Sequence, residues 1–246
     1  MLYIVPTPVG NLADMTPRSI DILKSVAAIY AEDTRTSGVL MRNFGITTPL
    51  LAFHKFNEHS ALDAVMNRLE AGEDIALVSD AGTPGISDPG FLLSRECRRR
   101  GLPVTTLPGA TAFVPALVSS GLPCERFAFE GFLPPKKGRA TRLNEIASSP
   151  VTTIIYESPL RLVKTLGQLA DVCGADRPAS VSREISKLHE ETVRGTLAEL
   201  AAHFSENIPR GEIVIVLGAS ESHDSHGTHR NKYRDSESRN HDSEQQ

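Results

Sequence analysis

Short apolar segments alternate with helix-like segments along the first half of this 246-residue chain. Such a pattern builds a parallel sheet, because each helix carries the chain back to the end of the sheet where the next strand starts. The order is apolar strand, then helix, five times in succession. It predicts strands at 2–5, 27–32, 49–53, 75–78 and 103–107 and helices at 16–26, 34–45, 60–72, about 90–100 and 110–119.

The segment SSGLP at 119–123 is typical of a hinge, and a different pattern follows it. Two strands within 179–195 are close enough in sequence to form a hairpin, so this half has an antiparallel part. The sequence thus predicts an α/β protein of two domains, 1–118 with a mostly parallel sheet and 119–219 with a mixed sheet. The second half has predicted strands at 127–131, 152–156, 179–185, 188–195 and 212–217 and helices at 139–147, from 158, and at 196–205.

Residues 220–246 contain one aromatic residue, Tyr233, and no aliphatic side chain. A segment that buries so little cannot offset the entropy lost on ordering, so we predict a disordered polar tail. His223, His226 and His229 could ligate a metal, but nothing rigid would hold them there. We therefore expect no metal site.

The bulk composition limits where the protein works and what it binds. Three cysteines lie far apart with no C-x-x-C, which indicates a reducing compartment. The first ten residues lack the basic region of a signal peptide, and no apolar run approaches the roughly 20 residues of a membrane span. The net charge of −4 excludes a wholly basic surface but leaves room for a local basic patch. We expect a cytoplasmic protein with no membrane or DNA partner.

Gly- and Pro-rich segments follow three of the predicted strands: PTPVGN at 6–11, SDAGTPGISDPG at 79–90 and PGATA at 108–112. We call them the first, second and third loop. Because the carboxyl ends of parallel strands share one edge, the loops should meet there. Glycine permits close approach of the backbone and proline stiffens it. The three loops predict a small-molecule pocket lined by main chain, although each alone could be a simple turn.

The loops also restrict the ligand. The dinucleotide signature G-x-G-x-x-G and the P-loop are absent, and no Lys or Arg in the loops could bind a triphosphate. Asp80 and Asp88 suit a cation, a ribose hydroxyl or an ammonium group. These features fit S-adenosylmethionine (SAM), which carries a ribose, an ammonium and a sulfonium.

Eight motifs occur in a fixed order: PTPVGNLADMTPRS, AEDTR, LVSDAGTPGISDPG, LPGATA, SGLP, FEGFLPPKKG, YESP and VRGTLAEL. From about residue 2 to 217 the chain thereby resembles the SAM-dependent tetrapyrrole methylases, and among them the small-subunit ribosomal RNA methyltransferase I family. The resemblance implies SAM in a cleft between two α/β domains and a homodimer. It also implies 2′-O-methylation of a cytidine ribose in the decoding centre of 16S rRNA. Many members carry a further folded segment where this chain has its polar tail.

The resemblance also implies which residues contact SAM. The first loop, the second loop, the third loop and the second domain would each contribute, with the last closing over the adenine. Carried over to this sequence, the set is Pro8, Gly10, Asp80, Ala81, Gly82, Ile86, Ser87, Asp88, Thr111, Ala112, Tyr156 and Ile213.

A ribose hydroxyl is a poor nucleophile and needs a general base or a polarising group. The motif AEDTR places Glu32, Asp33 and Arg35 at the end of the second strand. Asp33 as base with Arg35 on a phosphate is one hypothesis. The alternative is a helix N-terminus whose acids complement the helix dipole. His54 and Glu157 are further candidates, and the sequence does not choose among them.

Positive charge is concentrated in PPKKGRATR at 134–142, on a predicted loop that enters a helix. Its cations suit the phosphates of RNA. A second run, RECRRRG, points around all sides of a helix and fits a solvated helix end. The predicted RNA-binding residues are Lys136, Lys137, Arg139 and Arg142.

Two other functions compete with RNA methylation. One keeps SAM but methylates a tetrapyrrole carbon, and the other is a non-enzymatic RNA-binding ribosome-assembly factor. The basic segment and AEDTR favour RNA over a tetrapyrrole, whereas a pure binder would not need the three-loop pocket.

Overall fold

The computed structural model describes residues 1–54, 57–207 and 209–220. A five-stranded sheet forms the first half, with the order β3-β2-β4-β1-β5 and every neighbouring pair parallel. The α/β fold with a parallel first sheet is therefore confirmed. The strands are β1 (Leu2–Ile4), β2 (Ala28–Ala31), β3 (Leu50–Ala52), β4 (Ile75–Val78) and β5 (Val104–Thr106).

Helices cover both faces of this sheet. The face packed by α1 (Pro17–Ser25) and α2 (Thr34–Asn43) carries one apolar core, and the face packed by α3 (Glu58–Glu70) and α4 (Phe91–Arg99) carries another. The start of α1 follows from its sequence, because the Thr16 hydroxyl accepts a hydrogen bond from the backbone of Ser19.

Strands β1 and β4 lie side by side at the centre of the sheet, yet their following connections run in opposite directions. From β1 the chain crosses to β2, whereas from β4 it crosses to β5 on the other side. This reversal opens a crevice at the carboxyl ends of the two strands, which is where open α/β sheets bind ligands. The first and second loops leave the sheet there.

The second sheet has the order β6-β7-β10-β8-β9 and is mixed, as predicted. Strands β6 and β7 are parallel, and the other neighbouring pairs are antiparallel, including the predicted hairpin of β8 and β9. The strands are β6 (Phe127–Phe132), β7 (Thr152–Glu157), β8 (Pro178–Arg183), β9 (Glu191–Thr196) and β10 (Ile213–Leu217).

Three helices, α6 (Arg139–Ala147), α7 (Leu162–Cys173) and α8 (Leu197–Glu206), pack on one face of the second sheet. The other face is covered by α5 (Phe113–Ser120) together with Val9 of the first loop. The helix predicted at 110–119 in the first domain thus packs on the second sheet, because its Ala116 and Leu117 meet strand β10. The boundary at 118 itself stays a prediction.

The end of the chain lies mostly outside the described residues. Of the predicted tail, 220–246, only Ser220 is described, and its N–H donates to the carbonyl of Ser149 at 2.8 Å. Along the described part of the chain, no helix combines the length and the hydropathy that crossing a bilayer requires.

Candidate active site

The three loops meet at the carboxyl edge of the first sheet, as predicted. Thr7 and Gly82 exchange two backbone hydrogen bonds, each 2.9 Å long, which join the first loop to the second. The Thr83 hydroxyl donates to the carbonyl of Ala110 at 3.2 Å and joins the second loop to the third. A Cβ on Gly109 would lie 2.5 Å from the Cβ of Pro6, so only glycine lets the first and third loops approach so closely.

One edge of the second sheet faces the loops. Strands β6, β7 and β8 end at this edge and β10 begins there. A cavity of about 450 Å³ separates the two sides, which is within the usual size of ligand sites, about 300–1,000 Å³. Its walls come from Val9, Glu32, Asp80, Ala81, Gly82, Thr83, Ile86, Asp88, Thr111, Ala112, Phe132, Tyr156, Glu157, Ser158, Pro159, Ile185, Gly211, Glu212, Ile213 and Val214.

Backbone strain is concentrated at the rim of this cavity. Within the described residues, the non-glycine positions with positive φ are Ser87 (67°), Glu184 (51°) and Ser186 (68°). Such conformations cost of order 1–3 kcal/mol each and cluster at functional sites. The Ser186 hydroxyl donates to the carboxylate of Asp14, which follows the first loop, so the strained turn joins the two walls.

The interior of the cavity is acidic. Its described lining contains five carboxylates and no Lys or Arg: Glu32, Asp80, Asp88, Glu157 and Glu212. Burial, and then the charge of Glu32, raise the pKa of Asp88 to about 6, although a hydrogen bond with Ser79 opposes the shift. Burial also raises the pKa of Asp80. Arg161 pairs with Glu157 and Lys187 with Glu212, so the cationic character of a ligand would be met mainly by Glu32, Asp80 and Asp88.

The sequence of residues 1–201 matches the family of Tetrapyrrole (Corrin/Porphyrin) Methylases. Over 225 residues the chain is 47% identical to the ribosomal RNA small subunit methyltransferase I of Synechocystis sp., covering 91% of this chain and 81% of that protein. The chain belongs to this methylase family, in its ribosomal RNA small subunit methyltransferase I branch. The Thermotoga maritima protein of the same name is 42% identical to this chain. The match covers 89% of this chain and 99% of that protein.

Solved structures show the same fold. Uroporphyrin-III C-methyltransferase of Thermus thermophilus, complexed with S-adenyl homocysteine, superposes with a TM-score of 0.60 at 19% identity, over 87% of this chain and 96% of that one. Cobalt precorrin-4 methyltransferase gives a TM-score of 0.63 at 17% identity, over 88% of this chain and 94% of that one. Membership of the methylase family confirms the predicted methyltransferase class and SAM as its cofactor.

Most of the predicted SAM-contacting residues of this methylase lie in the cavity wall. Three do not: Pro8 sits between Thr7 and Val9, Gly10 packs against the Lys187 side chain, and Ser87 abuts Gly131 of β6. Their roles toward SAM stay predictions, as do those of the residues that line the cavity: Asp80, Ala81, Gly82, Ile86, Asp88, Thr111, Ala112, Tyr156 and Ile213.

Tyr156 closes the inner end of the cavity from the second sheet. Burial raises its pKa to about 12, and its hydroxyl is hydrogen-bonded to the backbone of Phe113 at the start of α5. The ring of Phe129 packs against it edge-on, with 5.0 Å between ring centroids. Tyr156 is therefore a neutral, fixed wall at physiological pH.

Asp33 caps helix α2 in this methylase. Its carboxylate accepts from the backbone of Arg35 at 2.8 Å and pairs with the Arg35 guanidinium at 2.7 Å. These bonds hold the pKa of Asp33 at about 2, so it is a weak base at neutral pH. The arrangement fits the helix-terminus alternative and does not favour Asp33 as the general base. Arg35, with a side chain 90% exposed, points its free edge to solvent.

The other candidate bases are placed differently from one another. Glu32 lines the cavity, whereas His54 follows β3 and is not part of the described lining. Glu157 lines the cavity but is fully buried and held by three donors at 2.7 Å each: Arg161, the Thr165 hydroxyl and the backbone of Ser158. Glu157 thus fixes the turn after β7.

The four predicted RNA-binding cations differ in exposure. Lys136 and Lys137 are exposed on the loop after β6. Arg139 is buried: it donates to Gln168 at 2.9 Å and to Thr165 at 2.7 Å, 3.8 Å from Glu157. Its prediction as an RNA contact needs correction, because α6 turns this side chain toward the sheet. Arg142 is half-exposed and pairs with acids on the surface.

Several lining residues did not emerge from the sequence. Phe132 ends β6, and Gly211 and Glu212 precede β10. The end of β6 could have indicated Phe132, since its strand is parallel to β7 and both end at one edge. Nothing in the sequence alone indicates that the start of the antiparallel β10 also lies there.

Replacing Arg139 by Ala should lower the free energy of unfolding by about 3 kcal/mol, because Glu157 loses one of its buried partners. The control is Arg142→Ala, whose exposed ion pairs are worth about 0–1 kcal/mol. Urea unfolding followed by circular dichroism measures both. Equal losses for the two variants would contradict the buried role of Arg139.

Proposed function

We propose that this protein transfers the methyl group of SAM to the 2′-hydroxyl of a cytidine ribose in the decoding centre of 16S rRNA. The observation that carries the proposal is a cavity lined by carboxylates, with exposed cations on the segments that follow β2 and β6, in a chain whose 46–48% identical relatives include three named ribosomal RNA small subunit methyltransferase I. The acidic interior suits the cationic donor. The rim suits the phosphates that flank a target nucleotide.

The donor side is the wall made by the three loops. Gly82, Thr111 and Ala112 present main chain and small side chains to the cavity, while Asp80 presents a carboxylate. These groups fit the ribose hydroxyls, the ammonium and the sulfonium of SAM. When bound, SAM supplies an electrophilic methyl group on its sulfonium.

The best candidates for the general base are the carboxylates of Glu32 and Asp88. Both line the cavity, and the charge of Glu32 raises the pKa of Asp88. A general base is most effective when its pKa is near the working pH, and a pKa of about 6 meets that condition better than the value of about 2 at Asp33. In this proposal Asp88 accepts the proton of the hydroxyl, Glu32 sets its basicity, and Asp33 holds Arg35.

Exposed cations on either side of the cavity would bind the phosphates of the RNA. Arg35 stands at the end of β2, and Lys136 and Lys137 stand on the loop after β6, on the opposite side of the cavity. A strand of RNA that crosses the mouth would meet cations on both sides. These residues, with the half-exposed Arg142, form the proposed RNA surface within the small ribosomal subunit.

The protein would act in the cytoplasm, where ribosomal subunits of its relatives' hosts are assembled, and as a homodimer. The exposed apolar side chains of Val114 and Val118, on one face of α5, support a contact with a second copy. A tetrapyrrole acceptor is favoured less, because the relatives that are 42–47% identical carry the ribosomal RNA methyltransferase name, whereas the tetrapyrrole methyltransferases are only 17–19% identical.

The direct test maps ribose methylation of small-subunit rRNA from cells with and without this protein, followed by methylation of the deficient subunits by purified protein and SAM. One 2′-O-methyl cytidine should be missing without the protein and restored in vitro. SAM binding with no transfer to any rRNA position would contradict the proposal, and so would transfer to a tetrapyrrole alone.

Asp88→Asn should lower kcat by about 10²–10⁴-fold while SAM affinity changes little, because the carboxamide cannot accept the proton. In the wild type, the carboxylate is protonated below its pKa of about 6, so kcat/KM should fall with decreasing pH below that value. The matched control, Asp33→Asn, retains a helix cap and should lose less than about ten-fold. Unchanged turnover and pH profile in Asp88→Asn would eliminate Asp88 as the base.

Replacing Lys136 and Lys137 together by Ala should weaken RNA binding uniformly and reduce the slope of log K against log salt by about 2, one unit for each lost phosphate contact. Filter binding at several salt concentrations measures the slope. Changing Arg98 and Arg99, at the far end of α4, to Ala serves as the charge-matched control and should leave it unaltered. An equal slope for both double variants would contradict this surface.

A further inference from the structure

Phe132 is an aromatic residue that the fold leaves open to the cavity. It is 56% exposed, although it lies in the cavity wall. One edge of the ring meets Tyr156, with centroids 5.6 Å apart and planes at 62°. The chain of rings Phe113, Phe129 and Tyr156 thus ends in a phenyl group that is more than half exposed in the cavity wall.

A β-bulge turns this ring toward the cavity. The register of β6 on β7 shifts between Phe129 and Gly131, so Phe132 lies opposite Tyr156. In regular pairing it would lie opposite Glu157, on the face that packs against α6–α8. Gly131 makes the turn with a φ of 62°, a value that favours glycine. Bulges that redirect a side chain are over-represented next to active sites.

The surroundings of Phe132 favour a nucleic acid base as its partner. Lys136 and Lys137 follow on the same loop, and Leu160, 93% exposed, lies on the loop after the parallel strand β7 and hence at the same edge. Exposed apolar groups beside cations are typical of surfaces that bind unpaired nucleotides.

Charge determines which end of a nucleotide can enter. Glu32, Asp80 and Asp88 in the cavity wall disfavour a phosphate there, whereas the exposed Lys136 and Lys137 attract it. A nucleotide whose phosphates stay at the rim can send only its ribose and base inward. That geometry requires the nucleotide to leave its base stack, as nucleotides do in enzymes that carry out chemistry on a base.

We propose that Phe132 is the platform on which the base of the target nucleotide stacks, and that the substrate is an unpaired nucleotide turned out of its RNA stack. This inference rests on the proposed function. The phenyl ring forms no hydrogen bond and stacks on any base, so it positions the ribose rather than reading the sequence. Its neighbour Tyr156 fixes the ring from behind.

The test compares Phe132→Ala with Phe132→Tyr and Phe132→Trp on small subunits from cells that lack the protein. Because base–aromatic stacking is worth about 1–3 kcal/mol, Phe132→Ala should raise KM for the subunit by about 10–100-fold, and the two aromatic variants should restore it within about three-fold. SAM affinity by calorimetry should stay constant. Phe91→Ala, which removes an exposed phenylalanine outside the described cavity wall, is the control and should behave as wild type.

A second substrate isolates the stacking partner. With an abasic ribonucleotide at the mapped position, wild type and Phe132→Ala should have the same KM, because each change alone already removes the same contact. An unchanged KM in Phe132→Ala, a loss that persists on the abasic substrate, or a loss of SAM affinity alone would overturn the stacking role. Failure of the wild type to methylate any RNA would instead overturn the proposed function.

Discussion

The packing of α5 and the first loop on the second sheet is the contact on which the rest of the structure depends. Val9, Ala116 and Leu117 from the first half join Ile154, Val214 and Val216 of the second sheet in one apolar core. Because this core lies directly beneath the cavity, it sets the distance between the loop wall and the edge of the second sheet. Each half of the chain supplies only one wall of this cavity.

The cavity wall and the loops beside it differ in charge. Carboxylates line the wall, and burial brings one of them, Asp88, to a pKa of about 6. Exposed cations stand on segments that continue from the cavity wall, on Arg35 after β2 and on the loop after β6. In the proposed function a cationic donor and a polyanionic acceptor would therefore bind side by side without competing for the same groups, which a uniformly charged cleft would not allow.

Much of the fold and the donor wall could be predicted from sequence, because glycine and proline mark loops and apolar runs mark strands. The sequence could not predict which sheet α5 packs on. The apolar face of α5 fits either sheet, and only the tertiary structure shows that Ala116 meets β10. The prediction of Arg139 as an RNA contact was wrong for a similar reason. A cation within a basic run is expected to be exposed, and only the structure shows that Glu157 lies beside it. The bulge before Phe132 depends on register, which strand periodicity does not encode.

The close approach of the loops has a consequence for the order of events during turnover. Pro6 and Gly109 touch with no room for a methyl group, and Thr7 and Gly82 are tied by two backbone hydrogen bonds. A wall so constrained is already shaped before anything binds, and little flexibility is lost when a ligand arrives. In the proposed reaction, the methyl donor would therefore bind first to a preformed wall, and the RNA would bind to an enzyme that already holds its donor.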